Sequence, residues 1–245
     1  MFYKYTKKQR RFIKILKELG YIKSSKEIDQ PYNTMTIGVR GNGKTVKMAL
    51  MVLFSKVDLT SSEYAEHNSC VISSTQYGSQ ASMDTINNLM RYIEREYIKK
   101  YKSRLFYDIQ AKKGSNHIYV NNHKIRFING ANSHYEGIHW KVFNDVYVDE
   151  FTLSEIGKDD AFWGELLHRG ALHRYDIKAH LFGTDIGPKI FEAKQQFVKK
   201  ELPITIESMS LSRLSYRPEV EEKGNKLWIA IKRAMDDVLE FLLLK

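Results

Sequence analysis

A three-layer α/β/α domain built on a mainly parallel sheet is what this sequence predicts, and three observations predict it. Apolar, β-branched runs alternate along the chain with helix-compatible amphipathic segments, the pattern of strands joined by crossover helices. The first such run, Met35-Thr36-Ile37, feeds a glycine-rich loop, Gly38-Val39-Arg40-Gly41-Asn42-Gly43-Lys44-Thr45, followed by a helix-compatible stretch from Val46 to Phe54. A later run, Val146-Tyr147-Val148, ends in two carboxylates, Asp149 and Glu150.

Residues 1–30 carry nine Lys or Arg against three acids. Thr6 is placed to cap a helix reaching Leu19, with Phe12, Ile15, Leu16 and Leu19 on one face and Gly20 ending it. The other face holds Lys7, Lys8, Arg10, Arg11, Lys14 and Lys17. It reads equally as a phosphate-contacting or partner-docking arm and as a solvated helix face. Ser24 to Asn33 is a polar linker containing Pro31, and Gln30 and Tyr32 just precede the first strand. Residues 31–205 hold the alternating pattern of the core.

Within that core a helix over 45–56 offers Val46, Met48, Ala49, Val52 and Leu53 for burial. Ser69–Thr75 reads as the second strand. Cys70, the single cysteine, is a small core residue of it. Ser82 to Tyr101 has helical periodicity at Ile86, Leu89, Met90, Ile93 and Tyr97. At its end Lys99, Lys100, Lys102, Arg104, Lys112 and Lys113 interleave with Tyr97, Tyr101 and Tyr107. Cations mixed with aromatics suit a nucleic-acid backbone, and equally a solvated helix end. His117 to Asn129 reads as a hairpin turning at Asn121-Asn122. Asn144–Val148 and Ile177–Gly183 are further strands, Phe162–Leu167 a short helix and Gly187-Pro188 a turn. Past residue 205 the pattern blurs. Residues 206–245 read as a small lid or linker subdomain, closing on a helix with Leu227, Ile231, Ala234, Val238 and Leu242 in register.

The 245 residues, with 42% hydrophobic content, support a substantial core. A formal charge of +10 favours a polyanionic partner. One cysteine excludes a disulfide framework and a thiolate metal cluster, and fits an intracellular, reducing compartment. No apolar run reaches membrane-spanning length, and no signal peptide is expected. The eight histidines show no ligand spacing, and His134, His139, His168 and His173 read as ordinary surface residues.

The loop fits G-x-x-x-x-G-K-[ST], the phosphate-binding (Walker A) motif, in its strand–loop–helix setting. Gly38, Gly41 and Gly43 permit backbone angles and a close approach that a side chain would block. The successive N–H groups through Asn42 to Val46, backed by the helix dipole, face an anion. Lys44 adds a point charge for the β- and γ-phosphates, and Thr45 a hydroxyl for Mg²⁺. The strand ending in Asp149-Glu150 is expected beside the first strand, as Walker B. Asp149 would hold the Mg²⁺ shell and Glu150 would polarise the attacking water as general base. Together these make the fold a P-loop NTPase of the ASCE type that binds ATP and Mg²⁺. Gln30 and Tyr32 are candidates for the adenine contact, and equally linker residues without a role.

The stretch GVRGNGKT, with Arg inside the loop, resembles the ATPase domain of tailed-phage DNA-packaging proteins, the large terminase subunits and their small-phage relatives. IYVNNHKIRFING, then GANSHYEGIHWKVFNDVYVDEF, resembles their run from hairpin to Walker B strand. LLHRG and AHLFGTDIGPKIF resemble their Arg-bearing helix and the strand followed by a coupling motif. The likeness covers roughly residues 30–200.

The resemblance implies that Arg40 senses the γ-phosphate or links to the catalytic glutamate. It places Thr184 and Asp185 at the motif that couples hydrolysis to movement, although Asp185 departs from the Asn or Pro usual there. It offers Arg169 as a finger reaching a neighbouring subunit's ATP, with Arg174 second. Both also read as surface or DNA-facing residues. Large terminases continue into a nuclease domain; this chain stops before one, so no DNA cleavage is expected of it. The implied protein is a viral genome-packaging motor of a tailed bacteriophage. It hydrolyses ATP to drive double-stranded DNA into a procapsid, as a homo-oligomeric ring at the portal vertex in the infected cell's cytoplasm. The alternatives are another P-loop DNA motor, a helicase or a filamentous-phage extrusion ATPase, and a non-hydrolysing nucleotide-binding scaffold.

Overall fold

The computed structural model describes residues 5–39, 41–57, 67–107, 109–111, 115–121, 123–130, 143–152, 177–184, 188–199, 202 and 204–209. Arg40, Asn122, Arg169, Arg174 and Asp185 lie outside them, as do Lys112, Lys113, the helices expected over 162–167 and near the end of the chain, and Gly187.

The helices are α1 (Lys7–Glu18), α2 (Lys44–Phe54), α3 (Gln76–Tyr101) and α4 (Pro188–Lys199). The strands are β1 (Asn33–Gly38), β2 (Ser69–Ser73), β3 (Gln110–Ala111), β4 (His117–Val120), β5 (His123–Asn129), β6 (Asp145–Asp149), β7 (Lys178–Gly183) and β8 (Ile204–Met209). They form one sheet in the order β3-β4-β5-β2-β6-β7-β1-β8. The six strands from β5 to β8 in that order run parallel, and the β3–β4–β5 end is antiparallel.

Parallel strands buried on both faces lack polar alternation, and the side chains of β1, β2 and β6 are nearly all enclosed. On one face Met35, Ile37, Cys70, Ile72, Val146, Val148 and Leu181 pack with Ala193 and Phe197 of α4. On the other, Thr34 meets His180, His180 stacks on Tyr147, and Tyr147 reaches Ser55 at the end of α2. These are the three layers that the alternating pattern predicts.

Local chemistry sets the element ends. Thr6 caps α1 in a capping box with Gln9, and Gly20 follows at φ +75°. The hairpin turns at Asn121, whose φ is +52°. Several elements differ from the sequence reading. The strand expected over 69–75 stops at Ser73, because Thr75 caps α3, its hydroxyl accepting from Gly78 N–H; the helix therefore opens at Gln76 rather than Ser82. Pro188 opens α4 rather than closing a turn, the first-turn position its fixed φ suits. The strands β3 and β8 carry no pattern that periodicity would detect, because β8 is an edge strand with only intermediate and exposed residues. Tyr97, grouped by sequence with a basic patch, is a fully buried residue.

The expectation that the carboxylate-bearing strand lies beside β1 is corrected. β7 lies between β6 and β1.

Candidate active site

The phosphate loop leaves β1 at Gly38 and enters α2 at Lys44. Gly43 caps α2 at φ +89° and Gly41 sits at φ +83°, backbone angles that glycine adopts without strain. Gly38 is needed for space. A Cβ there would lie 1.9 Å from Asn42 Nδ2 and 2.9 Å from the Met209 carbonyl oxygen. That crowding arises because the buried Asn42 side chain donates from Nδ2 to Met209 O at 2.9 Å, tying the loop to the end of β8. Val46 is buried on α2.

Lys44 is enclosed, and its ammonium donates to the carbonyls of Gly38 (2.9 Å) and Val39 (3.0 Å). Burial lowers its pKa, opposed by the charges of Glu150 and Asp149.

Although β6 and β1 are not neighbours, the start of α2 reaches across to the end of β6. Thr45 Oγ1 donates to Asp149 Oδ2 at 3.2 Å. Ser82, on the second turn of α3, donates to the same oxygen at 3.3 Å and lies 3.3 Å from Ser73 Oγ at the end of β2. Asp149 is 5% exposed, and burial followed by the Glu150 charge pushes its carboxyl up to about 6. Its other oxygen, Oδ1, is buried with no hydrogen-bond partner. A buried acceptor with no donor is costly. One hard cation beside Thr45 Oγ1 and Asp149 Oδ1 would satisfy it with the oxygen ligands that Mg²⁺ prefers. The residues present therefore fit Mg²⁺, with Thr45 and Asp149 as its protein contacts.

Glu150 follows at φ +55°, a left-handed conformation that costs a non-glycine residue roughly 1–3 kcal/mol. The turn is stitched to the end of β7. Phe151 N–H donates to Phe182 O at 3.0 Å, and Thr184 N–H donates to Thr152 Oγ1 at 2.9 Å. Thr184 Oγ1 donates to Glu150 Oε2. Gly183 admits this closeness, since a Cβ there would lie 2.6 Å from Thr152 Cγ2. The strained turn and the threonine together hold the Glu150 carboxylate in one place.

Of the residues that sequence singled out, the structure thus brings together Gly38, Gly41, Asn42, Gly43, Lys44, Thr45, Asp149, Glu150 and Thr184. Thr184 bonds the glutamate. Gln30 Nε2 donates to Glu207 Oε1 at 2.9 Å and to Lys26 O, and Tyr32 is 58% exposed. Glu207 also pairs with Lys47 of α2. Sequence reasoning missed Ser82 and Ser73. The signal for Ser82 was present: it falls in line with Ile86, Leu89, Ile93 and Tyr97, one polar residue on an apolar stripe. Nothing in the sequence marks Ser73, because a serine closing a buried strand is ordinary.

A parallel sheet with a glycine-cradled lysine and two carboxylates at its carboxyl end, one strand apart, defines an α/β P-loop NTPase fold of the ASCE type. No protein-family model and no curated protein matches the sequence. Among solved structures the fold is that of phage large terminases. The HK97 bacteriophage large terminase matches at TM-score 0.53 and 10% identity over 86% of this chain and 40% of that one. The large terminase of a thermophilic bacteriophage, in complex with ATP-γ-S, matches at 0.50 and 17% over 89% and 48%. The large terminase ATPase domain of Thermus phage P74-26 matches at 0.47 and 14% over 71% and 69%. At such identities the likeness is one of fold. The chain spans less than half the length of the first two.

Proposed function

We propose that this chain is the ATPase of a viral genome-packaging motor, hydrolysing ATP with Mg²⁺ to translocate double-stranded DNA into a procapsid. The observation that carries the reading is the meeting of the Lys44–Thr45 loop with the Asp149–Glu150 pair at one end of the sheet. The fold shared with phage large terminases supports the choice among P-loop motors. When bound, Mg²⁺ would offset charge on the β- and γ-phosphates. The chain's own groups do the rest. Lys44 exchanges its two loop carbonyls for phosphate oxygens. Thr184 orients Glu150, which accepts a proton from the attacking water.

In this reading Arg40 contacts the γ-phosphate, Gln30 and Tyr32 lie near the base, and Arg169 or Arg174 reaches the ATP of a neighbouring copy in a homo-oligomeric ring docked on the portal. A basic arm (1–30), a core (31–205) and a small C-terminal subdomain (206–245) remain the proposed division. Among the described residues no helix is long and apolar enough to cross a membrane.

The test is steady-state ATP turnover with blunt duplex, with single strand and without nucleic acid. Duplex should stimulate most, Glu150→Gln should bind ATP without turning it over, and Lys44→Ala should weaken nucleotide binding. Stimulation chiefly by single strand would point to a helicase. Tight ATP binding without turnover in the unaltered chain would leave a scaffold.

A further inference from the structure

We propose that α1 and the last turns of α3 form one docking surface for the phosphate backbone of a double helix, far from the nucleotide. In sequence the two basic stretches are separate; the fold joins them. Phe12 packs its ring against Phe54 at 6.1 Å and Phe106 at 6.3 Å, and Ile15 and Leu16 are buried beside it. With its apolar side fixed, α1 presents Lys7, Arg10, Lys14 and Lys17 as an exposed row at spacings of three and four residues. That row is about 15 Å long. The Arg11 guanidinium lies 4.6 Å from the Tyr101 ring centre, Lys8 lies 5.4 Å from that of Tyr107, and Lys100 pairs with Glu18. These contacts continue the basic surface from α1 onto the exposed Lys99, Lys102 and Arg104.

Among the described residues the nearby acids are engaged. Glu18 holds Lys100, Glu96 holds Arg95 and Lys99, and Glu94 accepts the N–H groups of Leu105 and Phe106. The surplus is positive, and a phosphate backbone is its complement.

Two details select a duplex read without regard to sequence. Gln9, the one amide on α1, is used in the Thr6 capping box and in a bond to Val57 O, so α1 keeps no amide to read adenine edges. Single strands bind by stacking bases on open aromatic faces. Here Arg11 sits over Tyr101, Lys8 covers one face of Tyr107, which is 38% exposed, and Tyr97 is buried. The surface is also remote. Ser82 of α3 touches Asp149, and Tyr101 lies 19 residues further along the same helix, about 28 Å away. Only the identification of the duplex as DNA rests on the packaging reading.

The experiment is fluorescence anisotropy of the full chain with two unrelated 30-base-pair DNA duplexes and a 30-nucleotide single strand, across a salt series. Each cation that contacts a phosphate contributes about 0.9 to the slope of log K against log salt. Neutralising Lys7, Arg10, Lys14 and Lys17 to Gln should flatten the slope by about 3–4 and weaken duplex binding by more than roughly tenfold at 0.1 M salt. Exchanging Lys7 and Lys14 for Arg should preserve it, and so should Arg91→Gln with Lys194→Gln. Binding of a fluorescent ATP analogue should be unchanged in every variant, showing that the fold is intact. An unchanged slope in the fourfold variant, an equal loss in the control pair, or tighter binding of the single strand would overturn the proposal. Duplex binding that depends on these cations in a chain that never turns over ATP would refute the motor reading and leave this surface standing.

Discussion

The buried carboxylate of Asp149 makes a prediction that separates stability from chemistry. Enclosure and the neighbouring Glu150 raise its pKa from 3.8 to about 6. Those two units correspond to about 3 kcal/mol of native-state destabilisation once the group is ionised. Replacing Asp149 with Asn removes the charge and keeps the shape. The Thr45 and Ser82 hydroxyls can still donate to the amide oxygen, while the new N–H₂ group, taking a buried site without an acceptor, costs about 1–2 kcal/mol. A net gain of about 1–2 kcal/mol remains, which raises Tm by about 3–6 °C. The sign fixes the pH window. A carboxylate whose folded pKa is raised favours the folded state most below its unfolded pKa of 3.8, and loses that contribution as pH climbs through about 6. Near pH 4, where the parent carboxyl is largely protonated, Asp149→Asn should therefore be slightly less stable than the parent; the balance should reverse near pH 5, and the advantage should grow up to about pH 7 and then level off. Urea unfolding in EDTA without nucleotide, from pH 4 to 8, measures it, and the same variant should have lost ATP turnover. A variant less stable than the parent at pH 7, or an advantage equal at pH 4.5 and 7.5, would refute the reasoning.

Three further changes test the same structure. Thr184→Val frees the Glu150 carboxylate, so turnover should fall by roughly 10²-fold with ATP affinity nearly unchanged, and Thr184→Ser should restore most of it; an equal loss of affinity in a calorimetric titration would make Thr184 a ligand contact instead. Gly38→Ala drives a Cβ into Asn42 and the Met209 carbonyl, so nucleotide binding should be lost. Adding Asn42→Ala should not rescue it, because the carbonyl stays at 2.9 Å. His180 is buried between Thr34 and Tyr147, and burial pulls its pKa from 6.5 down to about 4. A depressed histidine stabilises above its unfolded pKa and loses that contribution on acidification. Stability should therefore drop by about 2 kcal/mol from pH 7 to 5 on this account, and His180→Gln should flatten that part of the profile.

The phosphate loop could be read because its chemistry is local. Gly38, Gly43, Lys44 and Thr45 must be contiguous to wrap an anion, so their spacing is itself the site. The Asp149–Glu150 pair was legible as an apolar run ending in two acids, but its distance from β1 was not. Strand order depends on which crossover packs where, and no residue of β6 or β7 records that β7 lies between. Edge strand β8 escaped for a related reason. Its Thr205, Ile206 and Ser208 are exposed, so no apolar run marks it, although Met209 anchors the loop through Asn42. The helix α3 was found by its stripe, yet its start was set six residues late. A capping threonine before a glycine and serines gives no periodicity, and that missing turn and a half is what delivers Ser82 to Asp149.

The opposite end of the sheet shows why the chemistry gathers where it does. At the start of β6, Asp145 accepts from or shares a proton with His67 Nε2 at 2.6 Å. Nearby the wholly buried Lys56 donates to His67 O and Ser69 Oγ, both at 2.7 Å. Burial would raise the Asp145 carboxyl, but the His67 hydrogen bond and the surrounding cations hold it well below the usual carboxylate range. Burial pulls the Lys56 ammonium down to about 7 against the pull of Asp145. Asp145, His67 and Lys56 each have a hydrogen-bond partner there, so these buried groups offer a ligand no bare atom. At the carboxyl ends the reverse holds: Asp149 keeps a bare oxygen, Glu150 a strained backbone, and Lys44 only the loop's own carbonyls. A parallel sheet turns its strand-to-helix loops and helix N-termini toward that one end. Unsatisfied groups can be afforded there, because the same geometry brings the phosphate and the cation that satisfy them.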